Sequence, residues 1–340
     1  MKKYIISVFF FFVSIVVKSQ DFVYSNYLMS PIYLNPALAG ISNKNYRLVI
    51  NYRNQYPGIK NAYKYGSVSF DKYEDKLNGS YSINLDNSKE GAGFYNKTNF
   101  GLSYSFQGIG KKVGIHSRND FLMSLSFKFN YFIRSIDYDK LIFYDQIDIE
   151  NGVVSGLQSE ASYPVYNNKG FADFSVGIAF VYNNFIGGFA AHHLSEPNES
   201  LISSESLLKR KYNLHLSYYN KFGKNRNSGK MLTYSLNMYY QDVLPVIMLG
   251  YQFKYNFFTV GQYLRSATSV DGGNTIVLAF ILDDLLYQKR EEDISLGLSY
   301  DLNFLGMGTR NTAGALEINI IYQSGRLKTK RRKIPCPTNF

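Results

Sequence analysis

The stretch that decides the fold is Phe121-Leu-Met-Ser-Leu-Ser-Phe-Lys-Phe-Asn-Tyr131. Phe121, Met123, Leu125, Phe127, Phe129 and Tyr131 alternate with Ser124, Ser126, Lys128 and Asn130. Successive side chains of a strand point to opposite faces, so one face here is apolar and aromatic and the other small and polar. The same period returns in 294–303, where Ile294, Leu296, Leu298, Tyr300 and Leu302 oppose Ser295, Gly297, Ser299, Asp301 and Asn303. It returns again where Leu316, Ile318, Ile320 and Tyr322 oppose Glu317, Asn319 and Gln323.

Comparable alternation lies at 45–56, 64–71, 80–87, 98–107, 210–222, 231–241 and 246–256, with less regular apolar strands at 171–183, 184–194, 257–267 and 274–282. With a terminal strand at 314–324 this makes about fourteen strands, separated by clusters of Gly, Asn, Asp and Lys. Helix signals are nearly absent. Strands of about 9–11 residues suit a tilted crossing of the bilayer core, and an even strand count is usual in bacterial outer-membrane barrels. A soluble β-sandwich also has one apolar and one polar face per strand. The strand length, the Tyr and Phe at strand ends and the small polar side chains of the second face favour the barrel. The expected fold is therefore all-β: a single transmembrane antiparallel β-barrel of about 14 strands, with both termini periplasmic. Residues 88–97, 134–170, 195–209 and 304–313 then form outer connections, and the tight links at Asn183-Asn184 and Asn256 inner ones. The connection at 108–120 is long for an inner turn.

Composition narrows the class. Of 340 residues 45% are hydrophobic, with 31 Tyr and 26 Phe but no Trp, which is too apolar and aromatic for disorder. Tyr must then supply most of the amphipathic anchoring at the membrane interfaces. A single cysteine, Cys336, allows neither an intrachain disulfide nor a thiolate metal site.

The first residues read as an export signal. Lys2 and Lys3 precede an apolar run from Ile5 to Val17, followed by Val17-Lys18-Ser19, which predicts cleavage near Ser19/Gln20. That run of about 13 residues is shorter than a spanning helix needs, and no later segment is long and apolar enough to be one. Loss of Lys2, Lys3 and Lys18 lowers the formal charge from +11 to +8. The chain thus divides into a signal peptide at 1–19, a periplasmic arm at 20–44, an outer-membrane barrel at 45–325 and a basic periplasmic tail at 326–340.

The arm reads Asp21-Phe-Val-Tyr-Ser-Asn-Tyr-Leu-Met-Ser-Pro-Ile-Tyr-Leu-Asn-Pro-Ala-Leu-Ala-Gly40. Pro31 and Pro36 oppose a regular helix or a central strand. So many aromatic and apolar side chains need cover, which predicts an extended arm that plugs or lines the periplasmic mouth. Arg47, Asn51 and Arg53 share the inner face of the first strand, where they either order the arm by hydrogen bonds or sit solvated by lumen water. Arg53 on the lipid face would cost about 2–4 kcal/mol near the midplane.

Three blocks resemble the PorP/SprF family of the type IX secretion system in Bacteroidetes. The first is Ser30-Pro-Ile-Tyr-Leu-Asn-Pro-Ala-Leu-Ala-Gly40 and the second Tyr52-Arg-Asn-Gln-Tyr-Pro-Gly58. The third is Ala191-His-His-Leu-Ser-Glu-Pro-Asn198 with Arg210-Lys-Tyr-Asn-Leu-His215. Tyr56-Pro57 departs from the family, which usually has Trp and a small apolar residue there. The resemblance implies an outer-membrane component of type IX secretion or gliding motility. Such a protein assists export or surface anchoring of cargo adhesins that carry a C-terminal sorting domain, and contacts periplasmic ring and lipoprotein components. On this basis Pro31, Asn35, Pro36, Ala37, Gly40, Arg53, Asn54, Gln55, Gly58, His193, Pro197 and Asn198 are the candidate motif or docking residues.

Enzymatic and metal roles find no support in the motifs. His192-His193 invite a ligand reading, but neighbours on a regular strand face opposite sides, and no HExxH, GxSxG or Cys/His cluster accompanies them. The residues from His193 to Asn198 suit a strand-to-loop junction. The acids of 134–170 lack the spacing of a calcium loop. No cofactor is expected. The tail contains Lys330, Arg331, Arg332 and Lys333. An exported barrel meets no nucleic acid, so this run suits an acidic periplasmic surface or anionic lipid. The competing function is an outer-membrane transporter of hydrophobic small molecules, like the long-chain fatty-acid channels, which also carry an Asn-Pro-Ala early in the mature chain.

Overall fold

The computed structural model describes residues 21–42, 44–91, 95–109, 121–147, 159, 167–201, 205–222, 230–242, 244–267, 274–283, 285–286, 292–304 and 308–326. The signal peptide, the 110–120 connection, Lys330, Arg331, Arg332, Lys333 and Cys336 lie outside them.

Fourteen antiparallel strands close on themselves. They are β1 (Lys44–Gln55), β2 (Tyr63–Glu74), β3 (Gly79–Glu90), β4 (Tyr95–Ile109), β5 (Phe121–Ser135), β6 (Asn168–Tyr182) and β7 (Phe185–His192). The second half is β8 (Lys211–Phe222), β9 (Lys230–Gln241), β10 (Leu244–Tyr255), β11 (Phe258–Ala267), β12 (Thr275–Leu282), β13 (Glu292–Asn303) and β14 (Ala315–Arg326). Each strand pairs with its neighbours in sequence, and β1 seals the barrel against β14 with Val49 opposite Ile321. Closure leaves no unpaired strand edge, the condition for a sheet to stand in lipid. Several strands outrun their alternating segment: β5 continues to Ser135, with the apolar Phe132 buried inside and Ile133 exposed outside.

The alternation read in 121–131 sets the two faces. Leu125, Phe127 and Tyr131 are exposed on the outside, while Ser124, Ser126, Lys128 and Asn130 are buried inside. Rings flank this apolar belt, among them Tyr46 against Phe70 and Tyr322. Lys44 faces Arg326, so β1 starts and β14 finishes at the same barrel end. That end also carries the tight links at 183–184 and 256–257 and is called here the short-turn end. The other, the long-loop end, carries the connections 136–167 and 193–210.

The lumen is less uniformly polar than its sequence suggested. Leu122, Val181, Ile186, Met248, Tyr263 and Val277 are buried in one apolar cluster inside the barrel. Their partners in it are Tyr27, Leu28, Leu34, Ala37, Leu38 and Ile41 of the arm. A core made of barrel wall and arm holds the inside of the protein together.

Candidate functional site: the arm inside the barrel

The arm is neither extended nor confined to a mouth. It folds as three single turns, Tyr27–Met29, Pro31–Leu34 and Pro36–Leu38. Pro31 and Pro36 each stand at the first position of a turn. There the missing N–H is not needed and the fixed φ favours the turn. The prolines thus stop a long helix while starting short ones. Residues 24–32 and 34–42 are buried.

The contacts run the full length of the lumen. At the short-turn end Gly40 N–H donates to Asp71 at 2.6 Å, and Arg47 binds both Asp71 (2.9 Å) and the Leu38 carbonyl (3.1 Å). Gly40 has φ +62° and lies so close to Ser80 that a Cβ would fall 1.9 Å from its Oγ, so glycine is required on both counts. Ser105 and Gln107 donate to the carbonyls of Pro36 (2.9 Å) and Ala39 (2.8 Å).

Midway, Asn35 pins the arm to β6 and β7. Its Oδ1 accepts the Ala37 N–H at 2.9 Å, capping the third turn. Its Nδ2 donates to the Ile178 carbonyl at 3.0 Å, with the Phe189 carbonyl at 3.3 Å and His215 Nε2 at 3.2 Å. The amide lies flat on the wall because Gly177 and Gly188 have no side chain there; a Cβ on Gly177 would sit 2.2 Å from Asn35 Oδ1. Ala37 beside it is fully buried.

Near the long-loop end Arg53 faces the lumen. It donates to Ser25 Oγ and pairs with Asp301 at 2.8 Å and Glu317 at 3.3 Å. Glu317 also accepts the N–H groups of Ser25 (2.7 Å) and Asn26 (3.1 Å). Every charge in this network is buried, and each is matched by an opposite charge or backbone N–H, the condition under which buried ions persist. Arg53 is therefore an arm-binding side chain, not a residue solvated by lumen water. Gln55 Oε1 accepts from it at 3.4 Å, whereas Asn54 alternates to the opposite face.

The start of the arm reaches the long-loop end. Asp21 Oδ2 lies 2.6 Å from His193 Nε2, and Asp173 holds His193 Nδ1 at 2.9 Å. Lys97 stands 3.3 Å from the second Asp21 oxygen. The Asp21 carboxylate is held well below the usual range: burial opposes this, but Lys97 and His193 outweigh it. Burial also opposes the His193 imidazolium, yet Asp21 and the Asp173 hydrogen bond raise its pKa above the ordinary value. The expectation that His192 and His193 face opposite ways fails here. His193 follows the end of β7 with φ +58°, which breaks the alternation and turns both rings towards the lumen. Among the described residues no group of three or more His, Cys, Asp and Glu could hold a metal.

The remaining motif residues shape loops. Asn198 Oδ1 accepts the N–H groups of Ser200 (3.0 Å) and Ser206 (3.1 Å), and the Pro197 carbonyl accepts from Leu208 at 3.0 Å, which sets 205–208 beside 197–200. Gly58 donates to the Thr312 carbonyl at 3.0 Å, continuing the β1–β14 seam beyond the barrel. Sequence reasoning missed Asp21, Asp71, Asp173, Asp301 and Glu317 as arm anchors. For the last four the signal available was an acid on an inward position of a predicted strand.

A closed fourteen-stranded barrel with an outward apolar belt and a lumen filled by its own N-terminal segment defines an outer-membrane β-barrel protein. The chain belongs to the family of type IX secretion system membrane proteins PorP/SprF, whose model matches residues 16–322. No curated protein matches it in sequence. Among solved structures it is similar to the outer membrane protein Omp33 of Acinetobacter baumannii, with 7% identity, 83% of this chain and 98% of that one covered, and a TM-score of 0.42. The CymD monoaromatic hydrocarbon channel is also similar, at 9% identity, 88% and 94% coverage and a TM-score of 0.47. The toluene transporter TbuX of Ralstonia pickettii follows at 7% identity, 87% and 93% coverage and 0.44.

Proposed function

We propose that this barrel is a non-catalytic component of type IX secretion that assists export or surface anchoring of cargo by protein–protein docking. The cargo class is an adhesin with a C-terminal sorting domain, and the route can serve gliding motility as well as secretion. The observation that carries the reading is the arm in the lumen. Its burial from Tyr24 to Ile32 and from Leu34 to Ser42 means that a cargo chain would have to displace it to pass through. Docking at the barrel ends is the simpler role.

In this reading the short-turn end faces the periplasm, as short turns do in outer-membrane barrels. Residues 1–19 are the cleaved signal peptide. The basic tail with Lys330, Arg331, Arg332 and Lys333 is available to an acidic ring or lipoprotein component, and the long-loop end to the cargo. The enclosed arm is a structural plug rather than a free docking strand. Passage of hydrophobic small molecules is disfavoured, because the arm already covers the apolar wall of the lumen.

Deleting the gene is expected to abolish surface display of a sorting-domain cargo, and tagged barrel is expected to co-purify with that cargo or with a periplasmic ring lipoprotein. Unchanged cargo display in a strain that also lacks paralogous copies would overturn the proposal.

A further inference from the structure

On the outside of the barrel, at its long-loop end, strand register sets one row of polar side chains across six neighbouring strands. The row is Asn54, Lys64, Lys89, Asn96, Ser135 and Asn168. Its members face away from the lumen, since Arg53, Tyr65 and Ser88 beside them are buried inside. It holds no acid. At the same end of β8, β9 and β10 the outward row is Tyr212, Tyr240 and Pro245. Aromatic side chains are the usual ones at a membrane interface, so the sector from β1 to β6 departs from the ordinary rim.

Within the row Lys64 and Lys89 stand directly opposite each other on β2 and β3. Such partners have Cβ atoms about 4.5–5.5 Å apart, and like charges so placed repel. Both lysines are exposed, and neither makes an ion pair among the described residues. Outward lysines at the short-turn end are matched instead. Lys72 pairs with Glu74 at 3.3 Å, and Lys230 lies 5.2 Å over the Tyr255 ring. Lys60, exposed on the connection from β1 to β2, adds a third cation to the long-loop rim.

Four residues from the lysine pair towards the middle of the belt, Val68 and Leu85 face each other and are exposed. Between the two pairs lies Gly66. A Cβ on it would come no nearer than 3.9 Å to another strand, so the outer wall is open there. This gap leads from the two ammonium groups to apolar surface. Two lysines with no acid beside them, above such a gap, fit an amphiphile whose head carries two negative charges. A phosphate monoester carries about −1.5 to −2 at neutral pH, whereas a diester carries a single charge. We infer that this outer face seats the phosphate monoester of a membrane lipid. Lys64 and Lys89 flank the phosphate, and an acyl chain lies over Gly66 against Val68 and Leu85. The inference needs only that the apolar belt stands in lipid, and it is independent of the cargo reading.

The test is native mass spectrometry of the whole delipidated barrel offered phosphatidic acid, phosphatidylglycerol or phosphatidylcholine with the same acyl chains. Phosphatidic acid is expected to be retained about tenfold over phosphatidylcholine and several-fold over phosphatidylglycerol. Replacing both lysines, Lys64→Gln with Lys89→Gln, is expected to bring phosphatidic acid down to the phosphatidylcholine level. Lys72→Gln at the other end is expected to leave its retention unchanged. Equimolar inorganic phosphate is expected to leave the lipid bound. All three lysines are exposed or half-buried on the outer surface, so the variants should fold, and heat-modifiable gel migration checks that they do. Equal retention of phosphatidic acid and either other lipid would overturn the inference. So would undiminished retention in the folded double variant, an equal loss in Lys72→Gln, or displacement of the lipid by inorganic phosphate.

Discussion

Asp21 and His193, 172 positions apart, meet at 2.6 Å at the long-loop end of the lumen, where the arm begins. Their pairing makes arm docking pH-dependent. The raised pKa of His193 gives a contribution that is fully present below its ordinary value of 6.5 and is lost as pH rises through the elevated one. The depressed pKa of Asp21 gives a contribution present above 3.8 and lost as pH falls through the lower one. The thermal midpoint in detergent is therefore expected to fall between pH 6 and pH 9. His193→Asn should lower it at pH 6, by about 1–3 kcal/mol of stability, and flatten the alkaline slope. An unchanged slope in this variant would refute the coupling.

Arg53 ties β1, β13, β14 and the arm into one buried network. Arg53→Met leaves Glu317 without its cation, whereas Asp301 keeps Arg265 at 3.1 Å. Breaking such a buried pair costs about 3–5 kcal/mol. The expected result is an arm that protease cuts in the intact barrel, detected by mass spectrometry. Arg53→Lys restores the charge but not the fork and should recover only part of the protection.

Asn35 caps a turn and donates to carbonyls of β6 and β7. Asn35→Ala is expected to cost about 1–3 kcal/mol, read as earlier hydrogen exchange across 34–40. Gly177→Val should produce the same exchange signature with Asn35 intact, since its side chain would occupy the space of the amide. Normal protection in the valine variant would show that the arm can dock without Asn35 lying against the wall.

Phe127 and Ser126 are neighbours on β5, one 53% exposed outside and the other 8% exposed inside. Phe127→Lys should destabilise the barrel in lipid vesicles by about 2–4 kcal/mol if this position lies near the bilayer midplane. Phe127→Leu should cost little. Urea titration in vesicles measures both, and equal stability of the two would argue against lipid on this face.

The strands were legible because membrane and lumen impose a strict period of two. Phe121 to Tyr131 sorts its side chains in the sequence as it does in space, and the inward placement of Arg47, Asn51 and Arg53 follows from the same rule. The rule holds only while the backbone stays extended. At His193 a positive φ ends it, and a ring expected to point away joins the lumen. The arm was harder to read, because two prolines argue against regular structure without showing that each can begin a turn of its own.

The number of strands, their inner and outer faces and the family rest on local alternation and contiguous motifs, and so are written in the order of residues. That the arm runs the length of the lumen, and which acids hold it, follows from the closed barrel alone. Asp71, Asp173, Asp301 and Glu317 stand on four different strands, and Asp21 on the arm itself. Closing the barrel is what sets them around one segment, because pairs such as Arg53 and Glu317, 264 residues apart, become neighbours only when β1 meets β14.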